Sequence, residues 1–197
     1  MNSIELVPHS ILSAAHVIYE LNGLDYHNWL HVLNLSLELD TWSDASRMPI
    51  DLPTALAVVG HDLVPYNEKQ SAALAGRIFI EHGIDEAVIA RSRKLIEFTD
   101  RRQNPPPDDM LALALGDADR AILGKDPGTY HWYTQAIRRE KCQFHDAQFI
   151  AGRSRFIGIT LQNAPLYRLA YFADRYDAPA KSNLRQELAK LQQGRTA

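Results

Sequence analysis

Four short stretches of this chain carry residue types that bind cations or move protons. His61-Asp62 closes the run Ala55-Leu56-Ala57-Val58-Val59-Gly60, which is apolar on every side and reads as a helix buried at the centre of a bundle. Two ionisable groups there need compensation, because burying an unpaired carboxylate costs several kcal/mol. His31 shares a helical face with Leu35, Leu39 and Trp42, so its imidazole is expected to point inward. His27 stands on the same face if the helix already includes position 27. On a helical wheel Asp119 falls on the stripe of Ala112, Leu115 and Leu123, with Asp117 nearly opposite, which makes Asp119 the expected inward carboxylate. The economical account of three helices each sending His or Asp groups to the middle is one divalent cation held by His31, His61, Asp62 and Asp119. Mixed nitrogen and oxygen ligands suit Mn²⁺, Fe²⁺, Co²⁺, Ni²⁺ or Zn²⁺ better than Ca²⁺, with Mg²⁺ also admissible. The bland alternative is a neutral, hydrogen-bonded His61 in the core and an Asp62 paired with an arginine. His145-Asp146 repeats the dipeptide at an apparent helix start, where Asp146 reads as an ordinary cap.

Helices must bring these residues together, and apolar positions recur at helical spacing almost throughout, with no alternating β-branched run. The expectation is an all-α bundle, one domain over 1–197 with a polar tail from about 192. Helices are expected near 10–22, 28–43, 52–63, 68–82, 85–99, 108–123, 127–142, 146–162 and 181–193. Asn67 with Gln70 at the capping-box position, Pro127 in a first turn and Asp108-Asp109 mark three of the starts, and Pro105-Pro106-Pro107 breaks the chain between two helices. The 197 residues carry 21 Lys+Arg against 24 Asp+Glu, a formal charge of -3 without long like-charged blocks, which argues against a nucleic-acid-coating protein. The single Cys142 leaves no internal disulfide or Cys-built zinc site, and Glu5 interrupts the place where a signal peptide would be apolar, so a cytoplasmic location is expected. No apolar run approaches the ~20 residues of a membrane span. Oligomeric state is not legible.

The order His…His-Asp…Asp on helices resembles the HD-domain superfamily of metal-dependent phosphohydrolases. Tyr26-His27-Asn28-Trp29-Leu30-His31 is also similar to the metal-site signature of cyclic-nucleotide phosphodiesterases, distant HD relatives, and that resemblance implies His31 as a metal ligand and His27 as the group near the leaving oxygen. More of the chain is similar to a bacterial family of HD-type metal-dependent phosphohydrolases without a known substrate. The matching pieces include His61-Asp62, Asn67-Glu68 with Ser71, Asp117-Ala118-Asp119, Ala121-Ile122-Leu123-Gly124, Ile137-Arg138-Arg139-Glu140, Gly152-Arg153 and Asn183-Leu184-Arg185. One departure concerns Leu95-Ile96-Glu97-Phe98-Thr99, which such proteins often follow with a histidine, whereas Asp100-Arg101-Arg102-Gln103-Asn104 follows here. Binuclear relatives add histidines between the His-Asp pair and the last Asp, and His82 is the one candidate, so a single metal is expected.

Other candidates come from position alone. Glu68 opens a helix six residues after Asp62 and could act on a water or serve as an ordinary first-turn acid. Arg138 or Arg139, sharing a helix with Tyr133, could neutralise a phosphate, and Tyr66 and Tyr130 could wall a pocket or belong to the core. The expected activity is hydrolysis of a small phosphorylated molecule, a nucleotide being one candidate, with a metal that lowers the pKa of water toward ~7. In that reading Asp62 orients the water, Glu68 or His27 exchanges protons, and Arg138 or Arg139 holds the anion. A non-catalytic metal- or nucleotide-sensing module is the alternative, and an oxygenase would need ligands this chain lacks.

Overall fold

Side-chain oxygens start most of the helices. Asn28, Asp51, Asn67, Asp85 and Asp126 each accept a backbone N–H of the first turn of the helix that follows, Trp29–Ser46, Leu52–Gly60, Glu68–Glu81, Glu86–Thr99 and Pro127–Glu140 respectively, satisfying donors that have no helical partner. The computed structural model describes residues 2–162 and 165–193. They form helices with no strand, so the chain is all-α. Contacts divide it into two units, Met1–Asp119 and Arg120–Ala197. Nothing in the composition around Asp119 and Arg120 marks that division.

The first unit contains a 3₁₀ turn, Ser3–Leu6, followed by α1 His9–Asn22, α2 Trp29–Ser46, α3 Leu52–Gly60, α4 Glu68–Glu81, α5 Glu86–Thr99 and α6 Met110–Asp119. Its hub is α3, buried from Thr54 to Gly60 and packed against α1, α2, α4, α5 and α6. Gly60 is required at the end of that hub. A Cβ there would lie 2.9 Å from Ala75 Cβ and 3.0 Å from Ile96 Cδ1, so only glycine lets the segment before His61 sit between α4 and α5.

The second unit contains a 3₁₀ turn, Ala121–Gly124, and α7 Pro127–Glu140, α8 Asp146–Gln162 and α9 Ala170–Gln193. Here α9 packs on the 3₁₀ turn and on α8, and a Cβ on Gly124 would collide with the Tyr176 backbone at 2.7 Å. The expected 108–123 helix is thus two elements: α6 stops at Asp119 and a tighter turn brings Gly124 under α9.

The last helix departs most from expectation, starting at Ala170 rather than near 181. Pro179 inside it removes one backbone donor and suggests a break, yet Phe172, Ala180 and Leu184 are buried, and that packing holds the helix through the proline. It also runs through Gln192 and Gln193, where the sequence suggests a tail; 194–197 lie outside the described residues. No helix among the described residues is long and apolar enough to cross a membrane.

Candidate metal centre

The His-Asp pair sits where α3 runs out of helical partners. Its terminal carbonyls are taken by side chains: His61 Nδ1 lies 2.9 Å from Val58 O, and the Tyr19 hydroxyl donates to Val59 O at 3.2 Å. The same hydroxyl accepts from Asp62 N at 3.3 Å. Donation from Nδ1 fixes the tautomer of His61 and leaves Nε2 as the lone-pair nitrogen facing inward, the second-layer arrangement that metal-binding histidines use. His31 arrives as the third residue of α2, its N–H capped by Asn28, whose own amide donates to Leu24 O and Asp25 O. The stripe Leu35, Leu39 and Trp42 is buried with it.

These elements bring His31, His61, Asp62 and Asp119 together. The two Nε2 atoms are 3.0 Å apart. Asp62 Oδ2 lies 3.1 Å from His61 Nε2 and 3.4 Å from His31 Nε2, and Asp119 Oδ1 lies 3.1 Å from His31 Nε2 and 3.6 Å from His61 Nε2. His31, His61 and Asp62 each offer a ligand atom within 4.8 Å of the others. Metal–nitrogen bonds of about 2.1 Å hold two ligands roughly 3.0 Å apart at a right angle and about 3.4 Å at the tetrahedral angle, so the observed spacing fits a shared cation.

Electrostatics point the same way. Burial pushes both imidazoles toward neutrality, yet the Asp62 and Asp119 carboxylates outweigh it and raise His31 and, further, His61 above the ordinary histidine value. Burial pushes the two carboxyls upward, and the hydrogen bonds and charge of His31 and His61 outweigh it, so Asp62 and Asp119 stay well below the usual carboxylate range. Four side chains therefore stabilise positive charge at one point, proton or cation alike. Two bare nitrogen lone pairs at 3.0 Å repel, so one must carry a proton or both must face a cation.

The wheel argument needs one correction. Asp117 is not turned away from the interior: it is fully buried, more so than Asp119, because α6 is buried all round and every face is inward. Asp117 pairs with Arg101 at 3.3 Å, in the segment where the sequence departs from the resembling family, whereas Asp119 joins the histidines. A second correction concerns His27. Helix α2 starts at Trp29 with Asn28 as its cap, so His27 precedes the helix and the i,i+4 face does not apply. A loop still holds its ring 5.9 Å from His31, 4.9 Å from Tyr26 and 4.8 Å from Tyr66.

The other expected site residues have these positions. Glu68 is the first residue of α4 and lines a cleft of about 300 Å³ with Lys69, Lys94, Glu97, Asp100 and Gln103. Arg138, Arg139 and Tyr133 belong to the second unit. Arg138 pairs with Asp146 at 2.7 Å, donates to the carbonyls of Lys141 and Phe144 and lies over the Phe149 ring, tying the end of α7 to the start of α8. Asp146 is thus the first helical residue of α8 and a partner of Arg138 rather than a cap; His145 Nδ1 meets Gln148 N at 3.4 Å instead. Tyr133 and Tyr130 are core residues of that unit. Arg153, 7% exposed in its side chain, donates to both Glu187 oxygens and to the Tyr133 hydroxyl, and Tyr130 donates to Glu187 at 2.5 Å.

Tyr19 is the residue that local pattern reading misses. It lies on the buried α1 stripe Ile11, Ala15, Tyr19, and nothing in that stripe tells a packing tyrosine from one whose hydroxyl braces Asp62, 43 residues away. No family profile matches the chain, and neither curated proteins nor solved structures give a match.

Proposed function

We propose that the chain is a metal-dependent phosphohydrolase of small phosphorylated molecules, with an HD-type centre built from His31, His61, Asp62 and Asp119. The observation that carries this reading is the 3.0 Å approach of the two Nε2 atoms beside two carboxylates held ionised. A divalent transition metal bound there supplies Lewis acidity to a water and to the phosphoryl oxygens.

The chain's own residues supply the remainder. Asp62, whose backbone N–H is fixed by Tyr19, presents a second carboxylate oxygen able to orient a water for in-line attack. His27, half-buried and outside the ligand set, would give a proton to the departing oxygen, and Glu68 is the second candidate for proton handling. The Tyr26 ring lies 4.8 Å from His31 and covers one side of it.

The test is an activity screen of the chain loaded with Mn²⁺, Co²⁺, Ni²⁺ or Zn²⁺ over phosphomonoesters, cyclic nucleotides and nucleoside di- and triphosphates, with His61→Ala as control. Metal-dependent turnover that His61→Ala abolishes supports the proposal. Stable metal binding with no turnover in any class would favour the sensor reading instead.

A further inference from the structure

We infer that the outer face of α2 docks a helix of another protein, one that carries apolar residues toward one end and lysine or arginine toward the other. The inference is independent of the phosphohydrolase reading.

The starting observation is a seven-residue interval. Leu30, Leu37 and Asp44 recur at that interval on α2, with Leu33 and Asp40 between them, so the five residues form a seam of the kind along which one helix packs on another. The opposite face of α2, from His31 and Val32 to Leu39 and Trp42, is buried in the first unit. The leucines of the seam face solvent: Leu30 is 53% exposed, Leu33 42% and Leu37 62%. Exposed leucines scattered singly need no explanation, whereas three in register on one helix mark a contact surface.

A cleft lies at each end of the seam. Leu30 lines one of about 350 Å³ with Glu20, Leu24 and Trp29, and Asp44 lines one of about 380 Å³ with Leu6, Arg47, Pro49 and Ile50. From Leu30 to Asp44 the helix rises about 21 Å, so the track has the length of a partner helix of about four turns, with room for a side chain at either end.

Charge decides what covers the track. Helix α2 contains Glu38, Asp40 and Asp44 and no lysine or arginine. A second copy of α2 does not fit: antiparallel about Leu37 it sets Asp40 and Asp44 against Leu33 and Leu30, and parallel it sets each aspartate against its twin. The same acids are repelled by an anionic lipid surface. Asp40 is held on the seam by Ser3 N, which donates to it at 2.9 Å, and by the Ser36 hydroxyl at 3.3 Å, and its carboxylate has lone pairs for a further donor. A helix of another chain with apolar residues against Leu30, Leu33 and Leu37 and lysine or arginine against Asp40 and Asp44 satisfies the whole seam.

Two synthetic helical peptides of three heptads test this on the full chain. Both carry leucine at three successive seam positions; one has lysine and the other glutamate at the next two, with alanine and glutamine elsewhere. Fluorescence anisotropy of each labelled peptide is read at low and high salt on the parent, on the double variant Leu33→Gln, Leu37→Gln, and on Asp44→Lys. The lysine peptide is expected to bind about 10-fold or more tighter than the glutamate peptide, with a preference that shrinks at high salt and narrows in Asp44→Lys. Its binding is expected to fall about 10-fold or more in the double variant, whose thermal midpoint stays at that of the parent because the replaced leucines are exposed. Equal binding of the two peptides, binding unchanged in the double variant, no binding of either peptide, or a double variant that loses its fold overturns the inference. Self-association in sedimentation that the double variant abolishes assigns the seam to a second copy, and binding to phosphatidylcholine vesicles that it abolishes assigns the seam to lipid; either result overturns the inference as well.

Discussion

The hydroxyl of Tyr19 accepts the backbone N–H of Asp62 at 3.3 Å, so α1 braces the residue that brings a carboxylate to the candidate metal centre. The same oxygen donates to Val59 O, and Tyr19 is 1% exposed. Tyr19→Phe keeps the ring and takes this partner from the buried Val59 carbonyl and the part-buried Asp62 N–H. We expect a loss of about 1–3 kcal/mol in urea unfolding of the metal-free chain, together with weaker metal retention. A Phe variant that matches the parent in both would show that the hydroxyl braces nothing.

Asp117 and Asp119 separate a fold role from a metal role two residues apart. Asp119→Asn is expected to weaken metal retention, since its oxygen lies 3.1 Å from His31 Nε2. Asp117→Asn removes the charge opposite Arg101 and is expected to lower stability by about 1–3 kcal/mol with metal content unchanged. Metal analysis beside thermal unfolding of the two variants reads both effects, and equal metal loss in both would remove the distinction.

In the second unit the buried charge is Arg153, not the Arg138-Arg139 pair. Glu187→Gln leaves that guanidinium with a neutral partner, and Glu187→Ala leaves it with the Tyr133 hydroxyl; the alanine variant is expected to cost about 3–5 kcal/mol. Asp146→Asn breaks a pair whose members are 35% and 83% exposed and is expected to change stability by under about 1 kcal/mol. Denaturant midpoints of the variants check the order.

Acid stability has a specific contributor at the start of α6. Asp109 takes two hydrogen bonds from Arg91, at 2.7 and 2.6 Å, and accepts from Ala112 N. Burial pushes its carboxyl upward, but these partners outweigh that and hold it below the ordinary 3.8. A lowered folded-state value means that the pair stabilises the fold above about pH 4 and that this part is lost as pH falls through the lowered value. The midpoint difference between the parent and Asp109→Asn should therefore be present at neutral pH and shrink toward pH 3. A difference that stays constant over that range would contradict the assignment.

Local pattern carries much of this architecture. The all-apolar run before His61 identifies a buried helix because no face of it tolerates water, and the stripe Leu35, Leu39, Trp42 orients His31 for the same reason. The same logic fails at Asp117, since a wheel ranks faces and α6 has no outer face to rank. It fails at His27 because the Asn28 cap, a single side chain, moves the helix start past it. It fails at Ala170 because long-range packing of Phe172 and Leu184 overrides the proline at 179. Tyr19, Arg101 and Glu187 act through partners 16 to 43 positions away, which periodicity does not encode.

The most direct test of the cation centre is elemental analysis of the purified chain, backed by a competition titration with Mn²⁺, Co²⁺, Ni²⁺ and Zn²⁺. The four converging side chains predict about one transition-metal ion per chain, lost in His61→Ala and in Asp62→Ala while both variants stay helical. A metal-free chain with no micromolar affinity for any of the four ions would contradict the account and leave His31, His61, Asp62 and Asp119 as a proton-holding cluster of the core.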